Sequence, residues 1–234
     1  MSGALHRFSG NATLGPQLAA RVAGDLRAAL AVRTRATLAV SGGSTPVPFF
    51  QALAKERLDW HRVIVAPVDE RWVSETHPDS NAGLIRRHLL QDAAAAAVFV
   101  GMHTHAATPF EAEALVARRL AAFADGIDVV VLGMGEDGHT ASFFPDAETL
   151  ARALDPQAEA LCVAVRPPQA AHDRMSLTLS ALLRARHAYL HITGEAKWAV
   201  LEAARAACDT GRWPICALLQ APGFNLDIYY ANGN

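Results

Sequence analysis

Hydrophobic positions along the chain follow two alternating rhythms. Short apolar, β-branched runs at 37–40, 63–68, 127–132, 161–165, 175–179 and 188–193 read as strands. Longer Ala/Leu/Arg segments of helical period at 16–31, 46–54, 81–90, 109–124 and 195–208 read as helices. The run Val129-Val130-Val131-Leu132 is apolar throughout, as a central strand covered on both faces must be. The alternation predicts an α/β fold, a mainly parallel sheet with helices on both faces. There is no internal repeat and no linker, so residues 1–234 are expected to form a single domain. The alanine tract at 93–97 lengthens a helix end or a connector.

Four of the expected strands run directly into polar, mostly Gly-containing segments: Ser41-Gly42-Gly43-Ser44-Thr45, Asp69-Glu70-Arg71, Gly133-Met134-Gly135-Glu136-Asp137-Gly138-His139-Thr140 and Thr193-Gly194-Glu195-Ala196-Lys197. In a parallel sheet all four fall at the carboxyl edge, where ligands of open α/β sheets bind.

The first segment reads as a phosphate cradle. Gly42 and Gly43 let backbone approach an anion, Ser44 and Thr45 offer hydroxyls, and Pro46 suits the first turn of a helix. An ordinary capped turn has the same composition. The segment from Ser41 to Pro46 has neither G-x-x-x-x-G-K-[ST] nor G-x-G-x-x-G spacing, which favours a small phosphate ester over ATP or NAD there. Lys197 falls in the first turn of a helix, where a cation opposes the dipole unless an anion is near; a surface pairing with Glu195 or Glu202 is the plainer reading. Asp69 and Arg71 can orient and grip phosphate or carboxylate oxygens, or can simply be a solvated strand end. The third segment, with three glycines in six residues, displays Asp137 and His139. A neutral imidazole can take a proton from water near pH 7 while a carboxylate sets its tautomer, although a lone loop His is commonly structural.

Composition narrows the partners. With 51% hydrophobic and 19% charged residues and a net charge of −2, the chain has a globular composition and lacks the basic field of a nucleic-acid binder. Only Lys55 and Lys197 are lysines, so a Lys inside a loop motif carries information. The cysteines Cys162, Cys208 and Cys216 are odd in number and outside metal-ligand spacing, which fits a reducing cytoplasm. The N-terminus lacks a leader pattern and no run is long enough for a membrane span, so neither secretion nor membrane insertion is expected. His103 and His105 lack a third ligand at useful spacing, and no metal or cofactor is expected. Trp60, Trp72, Trp198 and Trp213 read as packing residues.

Together these segments resemble the 6-phosphogluconolactonase family. The resemblance runs through Ser41-Gly42-Gly43-Ser44-Thr45-Pro46, Asp69-Glu70-Arg71-Trp72-Val73 with Ser80-Asn81, and the stretch from Gly133 to Ser142. It continues through Arg174-Met175-Ser176-Leu177-Thr178 and Thr193-Gly194-Glu195-Ala196-Lys197. Ser74, Phe143, Ser176 and Asp146 depart from the family pattern without removing a group of proposed chemistry, and the region from Pro214 to Tyr230 matches only loosely. The resemblance implies a Rossmann-like fold and hydrolysis of 6-phosphogluconolactone, a small phosphorylated sugar lactone, to 6-phosphogluconate in the pentose phosphate pathway. It implies His139 as general base, Asp137 orienting it, and Ser44, Thr45 and Lys197 on the phosphate. Arg71 would position substrate or stabilise developing charge, with Arg174 a second anion contact. Water attack on an activated ester requires no metal. A related family of amino-sugar phosphate isomerase/deaminases shares several elements but resembles Gly-His-Ile-Ala-Phe-Asn-Glu-Pro after Asp-Gly. Here Phe144 occupies the position before Pro145 and cannot exchange protons. A sugar-phosphate sensor that binds without turnover is a third reading, against which the retention of both Asp137 and His139 argues. The sequence leaves the oligomeric state open.

Overall fold

In chain order the strands are β1 (Leu5–Phe8), β2 (Ala36–Val40), β3 (Val63–Pro67), β4 (Asp69–Arg71), β5 (Val98–Phe99), β6 (Val129–Leu132), β7 (Cys162–Val165), β8 (Arg174–Leu177), β9 (His187–Thr193) and β10 (Leu226–Ala231). The helices are α1 (Asn11–Val32), α2 (Val47–Leu53), α3 (Asn81–His88), α4 (Pro109–Arg119), α5 (Leu150–Ala153), α6 (Leu179–Leu183), α7 (Glu195–Ala207) and α8 (Cys216–Leu219). This computed structural model describes residues 3–233. Among them no helix is long and apolar enough to cross a membrane.

Seven strands form one parallel sheet in the order β1-β10-β9-β6-β2-β3-β5. Every residue of β2, β3 and β6 is buried, and alternate side chains serve opposite faces. Leu38, Val40, Val63, Val65, Val129 and Val131 join α1 and α2 in one apolar cluster. Ala39, Ile64, Ala66, Val130 and Leu132 join residues of α4, α6, α7 and α8 in the other. The two-residue period of a strand thus commits each run to two cores at once, which is why these runs are apolar without interruption. The parallel sheet with helices on both faces is the one the alternation predicts, and the fold is Rossmann-like, as the resemblance implies.

Two expected strands take a different place. The runs at 161–165 and 175–179 leave the parallel sheet: β7 and β8 pair antiparallel with each other and with β4 in a separate sheet of order β4-β8-β7. The residues from Thr178 onward turn helical instead, because the Thr178 hydroxyl accepts from the Ala181 N–H and caps α6. Asp69-Glu70-Arg71 is correspondingly a strand, not a loop. Three parallel strands, β1, β5 and β10, lie outside the expected runs, and α1 begins at Asn11, with Pro16 inside it.

The β4–α3 junction is organised by one buried carboxylate. Glu70 is fully buried and accepts from the backbone N–H groups of Arg71 at 2.8 Å, Asn81 at 2.8 Å and Ala82 at 2.7 Å, and from the Ser80 hydroxyl at 3.2 Å. Asn81 and Ala82 are the first residues of α3, so the acid satisfies orphan donors where the helix dipole favours negative charge. Burial pushes the Glu70 carboxyl above its ordinary value, against the lowering effect of those three N–H donors.

Glu70→Ala would leave three N–H groups unpaired in the interior, where each costs about 1 to 3 kcal/mol. The expected loss is about 3 kcal/mol or more in chemical denaturation, and a loss below about 1 kcal/mol would show that water replaces the carboxylate without penalty.

Candidate active site

The four strands that carry the motifs are consecutive neighbours, β9-β6-β2-β3. Their carboxyl ends therefore stand abreast over three strand spacings, roughly 14 Å. The chain changes direction between β6 and β2, since β3 lies on one side of β2 and β6 on the other. At this switch point a cavity of about 250 Å³ opens, lined by all of Ser41 to Pro46 and by Asp69, Arg71, Asn81, His139, His191 and Lys197 among others. Gly42, Gly43, Ser44, Thr45, Asp69, Arg71, His139 and Lys197, all singled out in the sequence, are thus brought together.

The cradle is not an ordinary capped turn. Pro46 occupies the N-cap of α2 and no side chain caps that helix, so the hydroxyls of Ser44 and Thr45 are left for the cavity. Gly43 has φ of 93°, which L side chains rarely adopt. A Cβ on Gly42 would collide with the Asn81 amide. Asn81 in turn donates to the Asp69 carbonyl at 2.7 Å, and Ser142 donates to Asp69 Oδ2 at 2.6 Å, which immobilises the carboxylate at the cavity wall.

In the loop after β6, His139 Nδ1 lies 2.6 Å from Asp137 Oδ1, which also accepts from the His139 N–H at 3.1 Å. With the carboxylate as acceptor, Nδ1 carries the proton of the neutral ring and Nε2 presents a lone pair. Burial on its own would raise the Asp137 carboxyl, but the hydrogen bonds and charge of His139 outweigh it and hold the group below the usual Asp value. Asp137 does not line the cavity; it acts on His139. Gly135 has no room for a side chain, because a Cβ there would strike both the His139 ring and Asp137. Gly138, with φ of 77°, packs on Trp213 and accepts from the Ile215 N–H at 3.0 Å, so the C-terminal region braces this loop.

Lys197 is half-buried; burial lowers its pKa, and the Glu136 carboxylate partly offsets this. Its expected surface partners are not engaged: among the described residues no hydrogen bond or ion pair joins it to Glu195 or Glu202. Arg71 lines the cavity and donates to the Asp79 carbonyl at 2.6 Å. Arg174 does not line it. Its guanidinium donates to the His172 carbonyl at 2.9 Å and lies 5.8 Å from the centre of the Phe144 ring. Burial, then the charge of Arg71, hold it below its ordinary value. Phe144 in turn packs against His139, with ring centres 4.5 Å apart.

Three cavity or supporting residues escaped sequence reasoning. Asn81 was quoted only as part of a motif. Asn11 carries no local signal. His191 had one, a polar residue inside the otherwise apolar strand β9. One possible metal-binding group was also missed: Asp79 Oδ2 lies 3.1 Å from His172 Nε2 and 3.9 Å from His77 Nδ1. That group could offer three ligand atoms, although His77 Nδ1 already accepts from the Asp79 N–H. His103, by contrast, packs on Trp72 at 4.8 Å.

Residues 9–225 match the family described as glucosamine-6-phosphate isomerases/6-phosphogluconolactonase. A 6-phosphogluconolactonase of Pseudomonas aeruginosa is 49% identical over 88% of this chain and 86% of its own length. One from Rhizobium meliloti is 43% identical over 99% of this chain and 100% of its own. The crystal structure of a 6-phosphogluconolactonase from Shewanella baltica superimposes with a TM-score of 0.95 at 40% identity, covering 98% of this chain and 97% of that one.

Gly135→Ala should force the His139 ring away from Asp137. The Asp137 carboxyl should then titrate closer to the ordinary Asp range, as followed by carbon NMR of the side chain. The sign follows from linkage: a depressed native value contributes stability above the unfolded pKa, lost as pH falls through the native one. An unchanged titration in the variant would mean that the loop accommodates the methyl group.

Proposed function

The chain belongs to the glucosamine-6-phosphate isomerase/6-phosphogluconolactonase family, and on that premise we propose that it hydrolyses 6-phosphogluconolactone to 6-phosphogluconate in the pentose phosphate pathway, with His139 as general base. The observation that supports this most is that one cavity is lined by His139, which Asp137 orients from outside the lining, and, from neighbouring strand ends, by a hydroxyl-bearing cradle and by Lys197, which makes no ion pair among the described residues.

In this reading the phosphate sits against Ser44, Thr45 and Lys197, with the backbone of Gly42 and Gly43 close by. The lactone carbonyl then lies towards His139. Nε2 takes a proton from water as the water oxygen bonds to the carbonyl carbon, and Asp137 stabilises the imidazolium that forms. The negative charge developing on the carbonyl oxygen is offset by Arg71, fixed through Asp79. Collapse of the tetrahedral species breaks the bond to the ring oxygen, which takes the proton back and leaves as a hydroxyl. The new carboxylic acid ionises, so each turnover releases one proton. Asp69, held by Ser142 and Asn81, orients substrate hydroxyls. Arg174 supports this wall without reaching the cavity. One α/β domain spanning the chain is sufficient for all of these roles.

Isomerisation with deamination fits the site less well. Phe144 packs on the His139 ring where an acid would be needed for ring opening, and a phenyl group exchanges no proton. A sensor without turnover has no use for a paired base.

His139→Ala should lower turnover by about 10²- to 10⁴-fold while largely preserving binding of a phosphate ligand. Turnover like that of the unaltered protein, after correction for spontaneous hydrolysis, would exclude His139 as the base.

Lys197→Ala should mainly raise KM for the phosphorylated lactone, with a loss of roughly 10- to 150-fold in kcat/KM, because a contact made equally in ground and transition states contributes uniform binding. An unphosphorylated gluconolactone is the control. An equal fractional loss on both substrates would show that Lys197 does not read the phosphate.

A further inference from the structure

His191 lies on β9 at the edge of the cavity, is only 3% exposed, and is accounted for by none of the roles above. Its two ring nitrogens are in contrasting situations. Nε2 lies 2.9 Å from Asn11 Oδ1. Asn11 is oriented by its own amide nitrogen, which donates to the Thr45 carbonyl at 2.9 Å, so its oxygen is an acceptor and Nε2 must be the donor. In the neutral ring Nδ1 is then a bare lone pair. That lone pair is buried and meets no donor among the described residues. Burial, followed by the positive charge of Lys197, pushes the imidazole down to about 3, so protonation does not relieve the mismatch at neutral pH.

An unpaired buried acceptor is costly, and a side-chain donor in the same wall would remove that cost. Lys197 qualifies. It lines the same cavity, follows β9 on the first turn of α7, is close enough for its charge to act on the imidazole, and has no hydrogen bond or ion pair among the described residues.

We infer that His191 is a positioning residue for the anion end of the cavity: its Nδ1 accepts one N–H of the Lys197 ammonium and aims the other two at the phosphate. The inference rests on the reading of Lys197 as a phosphate ligand. The choice of an imidazole has a physical rationale. A carboxylate in this place would hold the ammonium equally well but cancel its charge and repel the phosphate. A neutral nitrogen orients the cation and leaves the charge intact. The same ring, through Asn11, is tied to the carbonyl of Thr45, so the lysine and the cradle are set relative to each other by one buried relay.

Two substitutions separate this role from a purely structural one. His191→Gln keeps an amide N–H that can reach Asn11 but offers no acceptor at the Nδ1 position. His191→Asn places an amide oxygen at Nδ1 and is too short for Asn11. The expected result is that His191→Gln raises KM for the phosphorylated lactone, and the inhibition constant of inorganic phosphate, roughly 10-fold, lowers kcat far less, and has no such effect on unphosphorylated gluconolactone. His191→Asn should recover most of that loss. In a Lys197→Ala background, His191→Gln should add nothing. The reverse order of the two variants, no effect of His191→Gln, or losses that multiply in the double variant would each overturn the inference. Nitrogen NMR of the unaltered protein gives a check that needs no His191 variant. The Nδ1 resonance should be that of an unprotonated ring nitrogen, and it should move on Lys197→Ala; an Nδ1 that carries the proton, or one indifferent to Lys197, would also refute it. If Lys197→Ala itself fails to discriminate between the two lactones, the underlying reading of Lys197 is what fails. If it discriminates and His191→Gln does not, only the positioning role is lost.

Discussion

Two hydrogen bonds at the point where the strand order reverses hold the cavity's halves together. Ser41 donates its N–H to the Val131 carbonyl at 2.9 Å, and its side-chain oxygen accepts from the Gly133 N–H at 3.1 Å. The first continues the β2–β6 ladder one residue beyond the strand. The second ties the beginning of the His139 loop to the beginning of the cradle. Without this stitch the two loops would diverge, as chain segments at a switch point do, and the groups for proton transfer and anion binding would have no fixed separation. Residues nearly a hundred positions apart in sequence become neighbours because parallel strands align their carboxyl ends.

Around that stitch, polar groups divide into two populations. Glu70, Asn81, Asp69, Ser142 and Ser176 are buried and bonded to one another or to backbone, with Ser142 donating its N–H to the Ser176 hydroxyl at 3.2 Å. Such a network costs little once complete and leaves its members a single arrangement. Ser44, Thr45, Lys197 and the Nε2 of His139 face the cavity without such commitments. In the proposed assignment these uncommitted groups are the ones that meet substrate, and the saturated network fixes their positions. Rigidity is therefore placed beneath the working groups, and bonding capacity is left where a ligand can use it.

Much of this was legible in the chain. The runs at 37–40, 63–68, 127–132 and 188–193 were readable as strands because most side chains in them face one of two apolar cores, leaving few polar interruptions, of which Asp128 and His191 are two. The Gly-containing segments after them were readable because tight turns and close approaches admit few other residues. The antiparallel sheet of β4, β8 and β7 was not. Its strands have the same short apolar pattern, and strand direction depends on which neighbour is available, a tertiary fact that periodicity does not encode. The strand β10 was obscured by Asp227, whose carboxylate accepts from the Ala4 N–H at the sheet end. Individual site residues split in the same way. Lys197 stood out because lysine is rare in this chain, and His139 because three glycines surround it. The bracing of the loop by Trp213, and the place of Asn11 beneath the cradle, depend on packing between segments more than 70 and about 30 residues apart, to which no local pattern points.

The separation of the two ends of the cavity bears on how its chemistry can be tuned. In the proposed scheme the base follows β6, its ring resting on Phe144 and Asp137, and the ammonium follows the neighbouring strand β9. Burial, then the charge of Lys197, lower His191, a ring that in the proposed scheme exchanges no proton, so the depression is harmless there and keeps it neutral. Two histidines in one cavity thus meet opposite electrostatic demands. One keeps a carboxylate partner and can gain a proton during turnover, whereas the other is buried beside a cation and stays unprotonated throughout. That contrast follows from the surroundings of each ring, and in the proposed scheme it lets a single parallel sheet present a proton acceptor and an anion clamp from neighbouring strand ends.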